Sequence, residues 1–209
     1  MTSRFARRFT QCSFVAVALL LLSNATVLRA QRTGDQATER RERTGALLEQ
    51  GWHPYLAVAP VAPLGRLGDL TSFGVGGYAG AWYVPPEGSW PGFGIEASYV
   101  SLEKDTDELL PGRYQKAGVS VRLTSKGKRR VFFDWLGAYG AVGAGVFRHG
   151  ASENTMRTSP GASASLGMLV PVYGFEGFIE ARIEHLFSGE ILGSGNGLTM
   201  APLMIGVRF

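Results

Sequence analysis

The last eleven residues, Thr199 to Phe209, read TMAPLMIGVRF, and they constrain the fold more than any other stretch. Ala201, Leu203, Ile205, Val207 and Phe209 share one parity; Met200, Pro202, Met204, Gly206 and Arg208 share the other. A period of two with a continuous apolar set predicts a β-strand with one apolar face. Its length matches the roughly 9 to 11 residues that a tilted strand uses to cross a bilayer, and the run stops on an aromatic. The competing reading is a final strand in a soluble sandwich.

At the other end, Arg4, Arg7 and Arg8 precede an apolar run from Phe14 to Leu22, and Leu28-Arg29-Ala30 closes on a small residue before Gln31. This is the pattern of a secretory signal peptide cut after Ala30, with an apolar core too short to span as a helix. Cys12 lies inside that segment, so the expected mature chain has no cysteine and no disulfide. The formal charge of +4 is removed with it, because the segment holds four arginines and no acid. A mature charge of zero gives no support to nucleic-acid binding, which needs a surplus of Lys and Arg. No later apolar run approaches eighteen residues, so a membrane helix is not expected.

The remainder divides into a polar arm, 31–51, whose Arg32, Arg40, Arg41 and Arg43 are matched by Asp35, Glu39, Glu42 and Glu49, and an alternating region, 52–209. In order, strands are expected at about 52–59, ended by Pro60 and Pro63, and at 73–84, with Phe73, Val75, Ala79, Ala81 and Tyr83 opposite Gly74, Gly76, Tyr78 and Gly80. The third, 93–101, sets Phe93, Ile95, Ala97 and Tyr99 against Gly94, Glu96 and Ser98. The fourth, 114–123, sets Ala117, Val119, Val121 and Leu123 against Lys116, Gly118, Ser120 and Arg122. A basic turn, SKGKRR, leads to a fifth at about 131–147, and Arg148 to Pro160 reads as a long polar loop. The faces of the first and fifth strands do not resolve. In the sixth, Ala162, Ala164, Leu166, Met168 and Val170 oppose Ser163, Ser165 and Gly167; in the seventh, Ile179, Ala181 and Ile183 oppose Glu180, Arg182 and Glu184. The closing strand is the eighth.

Eight alternating strands close into a small membrane barrel, all-β and antiparallel. The signal segment, the strand count, the VAPVAPLG, GASASLGM and FIEARIEH segments and the terminal GVRF together resemble the eight-stranded outer-membrane β-barrel family of the OmpA and OmpX type. That resemblance implies a monomer in the bacterial outer membrane with both termini periplasmic and its longer connections, after the odd-numbered strands, outside the cell. It implies that Phe209, Val207, Ile205 and Leu203 form the signal read by the barrel assembly machinery, and that the partners are outer-membrane lipids. Trp52, Tyr55, Tyr83, Trp90, Phe93, Phe132, Phe133, Phe178 and Phe209 would form interfacial girdles. The polar faces aim Glu96, Lys116, Arg122, Glu180, Arg182, Glu184 and Arg208 into the lumen, where they are expected to pair across neighbouring strands, Glu96 with Lys116 and Arg122, and Arg208 with the acids of the seventh strand.

Other candidate chemistry is thin. Gly74-Val-Gly76-Gly-Tyr-Ala79 matches a dinucleotide fingerprint formally, but it sits within a strand instead of between a strand and a helix. Glu103, Asp105, Asp107 and Glu108 offer oxygen ligands without a complete cation loop, so neither metal nor cofactor is expected. Lys126, Lys128, Arg129 and Arg130 suit either anionic headgroups or plain solvent. The outer-membrane lipid A deacylases place a histidine and a serine two residues apart on the lipid face; here His185 and Ser188 are three apart and on opposite faces. His185 is expected at the outer interface beside Phe187, His149 in a loop, and His53 at the first strand's periplasmic end. The resulting expectation is a non-enzymatic envelope protein with a structural or loop-mediated binding role; the alternatives are a deacylase-like enzyme and a small-solute channel.

Overall fold

The structure is a computed structural model, and it describes residues 50–86, 91–104, 112–125, 129–130, 136–172, 175–187 and 197–209. All described residues belong to one compact unit, Ala46–Phe209. The expected signal segment and nearly all of the polar arm lie outside them, as do Trp90, Phe132, Phe133, Asp105, Asp107, Glu108, Lys126, Lys128 and Ser188.

Eight long strands make the wall: β1 (Gly51–Leu64), β2 (Thr71–Val84), β3 (Gly92–Lys104), β4 (Tyr114–Thr124), β5 (Gly137–Gly150), β6 (Arg157–Val172), β7 (Phe175–Leu186) and β8 (Leu198–Arg208). Each pairs antiparallel with the next, and β8 returns to β1, from Tyr55↔Arg208 to Leu64↔Thr199. The sheet is therefore closed, which removes the open edges an antiparallel sheet otherwise exposes. Arg129 and Arg130 add a two-residue ladder against Ala138 and Gly137. Two short 3-10 turns, Gly65–Leu67 and Glu153–Thr155, are the helical elements of the described residues.

Several strand boundaries differ from the sequence-based expectation. β1 does not end at Pro60 but runs through both prolines to Leu64, with Pro60 opposite Val75 and Pro63 opposite Met200. A proline removes one ladder donor, and a strand flanked on both sides keeps enough of the remaining bonds to continue. β5 starts at Gly137 and continues to Gly150, so the expected long loop shrinks to 151–156. There the Ser152 N–H donates to Thr155 Oγ1 at 2.9 Å, closing a tight turn. Connections after β1, β3, β5 and β7 span six, nine, six and eleven residues, against seven, twelve and two after β2, β4 and β6. Length alone therefore does not separate one end of the barrel from the other.

The closure also resolves the two ambiguous strands. Tyr55, Ala57, Ala59 and Val61 of β1, and Tyr139, Ala141, Phe147 and His149 of β5, point inward and are buried. Val58, Val142 and Val146 point outward and are exposed.

Candidate functional site

The barrel inverts the usual arrangement of a soluble protein. On β7, Glu180, Arg182 and Glu184 are 0%, 3% and 3% exposed, while Ile179 and Ile183, alternating with them, are 42% and 55% exposed. The same alternation places Glu96 of β3 and Lys116 and Arg122 of β4 inside, and Ile95, Val119 and Val121 outside. Three acids and three bases thus meet in the middle of the lumen. Burial of ions costs several kcal/mol each unless partners replace the lost water, so their geometry decides whether the barrel is stable.

Every one of the six has such partners. Arg182 grips Glu96 with both terminal nitrogens, Nη1 to Oε1 at 2.6 Å and Nη2 to Oε2 at 2.8 Å, in the fork geometry suited to a carboxylate. Its Nε donates to Glu180 Oε1 at 2.8 Å and its Nη1 to Glu184 Oε1 at 3.1 Å. Arg122 donates from Nη2 to both oxygens of Glu180, at 2.8 and 2.9 Å, and to Ser165 Oγ at 2.9 Å, and from Nη1 to Glu96 at 3.2 Å. Lys116 Nζ bonds Glu184 and lies 4.7 Å from the Phe147 ring centre. Two phenols complete the network: Tyr55 donates to Glu96 at 2.5 Å, and Tyr139 to Glu180 at 2.7 Å.

Apolar and aromatic layers cap this polar middle. Towards the end where β1 begins and β8 finishes lie Tyr55, Trp82, Tyr139 and Phe178, with centroids 5.1 to 5.8 Å apart where they meet. Arg208 sits here, bonded to Glu176 through Nε at 2.7 Å. Towards the other end lie Val61, Leu67, Leu102, Leu186, Leu198 and Met200, each at most 1% exposed. The arrangement is a filled cylinder: charges neutralise one another at mid-height, and rings and aliphatic side chains close the lumen above and below.

The outer surface is apolar over the height of the wall, with Phe73, Val75, Ile95, Leu166 and Ile205 all more than half exposed. Such a surface faces a bilayer. At one end Trp52, Tyr83 and Phe93 cluster with centroids 5.2 to 5.5 Å apart, and Phe175 and Phe209 meet at 6.4 Å.

No family model matches the chain, and no curated protein matches it in sequence. Among solved structures, Neisserial surface protein A superposes with a TM-score of 0.53 at 16% identity, covering 76% of this chain and 96% of that one. The N-terminal β-barrel domain of Pseudomonas aeruginosa OprF is 15% identical, covering 77% and 98%, with a TM-score of 0.44. Ail, the attachment invasion locus protein of Yersinia pestis, is 16% identical, covering 77% and 100%, with a TM-score of 0.43. The chain has the eight-stranded outer-membrane β-barrel fold.

Within this barrel, several residues stand elsewhere than the sequence placed them. Arg208 does not join the acids Glu180 and Glu184: its register partner on β7 is Glu176, near the barrel's end. Lys116 pairs with Glu184 across the lumen and not with the neighbouring Glu96, whose main partner is Arg182. Tyr55 and Phe178 are not girdle residues; each is 2% exposed and points inward. His149 is no loop residue. It is fully buried near the end of β5, with Nδ1 3.0 Å from Tyr114 Oη and Nε2 2.7 Å from Ser159 Oγ. Glu176, Tyr55, Tyr139 and Ser165 belong to the polar interior and were missed, although Tyr139 and Ser165 share the inward parity of their strands.

His185 faces outward beside Phe187, at 5.3 Å between ring centres, and its Nδ1 lies 2.9 Å from Thr199 Oγ1. His53 sits at the start of β1 with Nδ1 3.2 Å from the Phe209 carbonyl oxygen. Gly74 to Ala79 lies inside β2 and opens no helix, so the fingerprint has no phosphate-binding context. Glu103 is paired to Arg113 at 2.7 Å on the exposed rim.

Proposed function

We propose that this chain is a non-enzymatic protein of the bacterial outer membrane, a closed barrel that anchors its connecting loops in the envelope for a structural or binding role. The observation that carries this reading is the bidentate Arg182–Glu96 pair spanning β7 and β3, with Arg122, Glu180, Glu184 and Lys116 locked around it. A solute crossing the lumen would have to part these pairs and leave charges without partners, a cost of several kcal/mol per ion. The side chains of a small barrel suffice to fill it. Planar-bilayer recording tests this: the parent protein is expected to give no steady current, and a reproducible open conductance would replace the plug with a channel.

The chain's placement follows the same reading, with both termini periplasmic, a monomeric state, lipid as the partner of the apolar wall, and the barrel assembly machinery as a transient partner. Leu203 and Ile205 stand exposed on the outer face of β8, and the Phe209 N–H donates to the Pro54 carbonyl at 3.0 Å, so the last residue belongs to the closing seam. Phe209→Asp is expected to lower the amount of folded, heat-modifiable barrel in the outer-membrane fraction several-fold. Undiminished folded barrel would remove Phe209 from the assembly signal. Among the described residues, the one outward histidine of the FIEARIEH segment has the Thr199 hydroxyl as its side-chain partner, which lends the deacylase reading no support.

A further inference from the structure

Four buried side-chain polar atoms have no hydrogen-bond partner among the described residues, and three of them fall together: Trp82 Nε1, Arg122 Nε and Thr124 Oγ1. The sheet register explains why. Trp82 stands opposite Gly94, Gly94 opposite Arg122, and Gly92 opposite Thr124, so the three occupy adjoining places on β2 and β4 with glycine backbone between them. A Cβ built on Gly94 would come within 2.7 Å of Trp82 Cδ1, the atom bonded to Nε1. The N–H edge of the indole therefore turns toward this glycine strip, which a larger residue would fill. Trp82, Gly92, Thr124, Tyr139, Leu169 and Arg208 line a pocket at the end of the barrel where β1 begins and β8 finishes.

The donor balance of this place is one-sided. An indole N–H and a guanidinium Nε–H can only donate, and a threonine hydroxyl can donate as well as accept. Two guanidinium groups flank the indole, Arg122 at 5.6 Å and Arg208 at 5.2 Å from its ring centre. A water here would accept from the two N–H donors but must also give away two hydrogens; Thr124 Oγ1 can take one, and the nearest interior carboxylates, Glu96 and Glu180, already accept from arginine and tyrosine. An acceptor without hydrogens meets no such demand. Glu180 and Glu96 engage the Nη side of Arg122 and leave its Nε edge to the other side.

We propose that Trp82, Thr124 and Arg122 form a binding site for one small anion, a halide or the carboxylate of a small acid, at this mouth of the barrel. The anion completes the hydrogen bonding of three buried donors and sits above the neutral six-charge network without opening it.

The Trp82 indole resonance reports on this directly. Protein labelled with nitrogen-15 in detergent micelles is prepared free of halide and titrated separately with sodium chloride and sodium formate, with sodium methanesulfonate holding ionic strength constant. The Trp82 indole signal is identified by its loss in Trp82→Phe. Should that variant not fold, Trp52→Phe, Trp90→Phe and Trp135→Phe identify it by elimination, because the chain has four tryptophans. A saturable shift of the Trp82 signal with at least one of the two anions is expected, with the Trp52 signal unmoved. Thr124→Val is expected to weaken the midpoint roughly tenfold, since it removes one hydrogen bond to a charged acceptor, and Thr124→Ser to restore it. A Trp82 signal that does not saturate with either anion means that water fills the site and overturns the proposal, as does a midpoint that Thr124→Val leaves unchanged.

Discussion

The two faces of β7 carry opposite chemistry within one six-residue run. Glu180, Arg182 and Glu184 face a lumen crowded with complementary groups; Ile179, Ala181 and Ile183 face outward, paired with β6 and β8 through the backbone ladder. The inner face tolerates ions only because each meets a counter-ion in a fixed geometry, and the outer face tolerates none because lipid offers no counterpart. Specificity therefore resides inside. Outside, bulk hydrophobicity is sufficient.

The largest effect should come from removing one member of the inner network. Glu180→Ala strips acceptors from Arg122, Arg182 and Tyr139 at once and is expected to cost about 3 to 5 kcal/mol, read as a lower urea midpoint in lipid vesicles. A midpoint within error of the parent would mean that lumenal water already screens these charges, which would end the contrast between the faces.

Placing an ion on the other face tests the same contrast from outside. Ile183→Arg should cost about 2 to 4 kcal/mol if this position lies near the bilayer midplane, and progressively less if it lies nearer a headgroup layer. Comparing it with arginine at Ile179 and at Leu166 would map the depth of the belt. Uniformly negligible costs would show that water, not lipid, covers this surface.

A double-mutant cycle on Lys116 and Glu184 isolates one link across the lumen. Lys116→Met leaves Glu184 with Arg182 as a donor, 3.1 Å away, so the single change is milder than loss of Glu180. Coupling between Lys116→Met and Glu184→Gln is expected at about 1 to 3 kcal/mol. Strict additivity would demote the pair to a bystander.

The smallest effects distinguish packed from fluid surroundings. Val100→Ile adds a methylene to a fully buried interior site and is expected to cost about 1 to 3 kcal/mol, whereas Val119→Ile on the exposed wall should stay within about 0.5 kcal/mol. Equal responses would show that the end of the lumen holding Val100 is as loosely packed as the lipid side.

Much of this architecture was legible in order along the chain. β3, β4, β6, β7 and β8 each alternate cleanly, and a strand's two faces follow from parity alone, so the inward direction of Glu96, Arg122 and Glu180 required no knowledge of neighbours. β1 and β5 resisted because both of their faces are apolar: Tyr55 and Val61 pack inside while Val58 faces out, and no polar marker separates them. Pro60 misled as a terminator because a proline's effect depends on how many flanking strands remain to hold the segment. His149 read as a loop residue because the polar stretch around it resembles one; its burial depends on Tyr114 and Ser159, which lie on other strands.

The sequence by itself determined the period, the strand count and the sign of each face, because these depend on interactions between residues two apart. Only the closed sheet decided who partners whom. Arg182 and Glu96 are 86 residues apart and on strands that do not adjoin, and their 2.6 Å contact exists because the wall curves until opposite sides are within one side chain's reach. The same curvature sent Lys116 to Glu184 instead of Glu96, while the register of β7 against β8 set Arg208 opposite Glu176. Pairing of charges across a lumen is a property of the barrel's diameter and stagger, which strand number and register set together and no local stretch encodes.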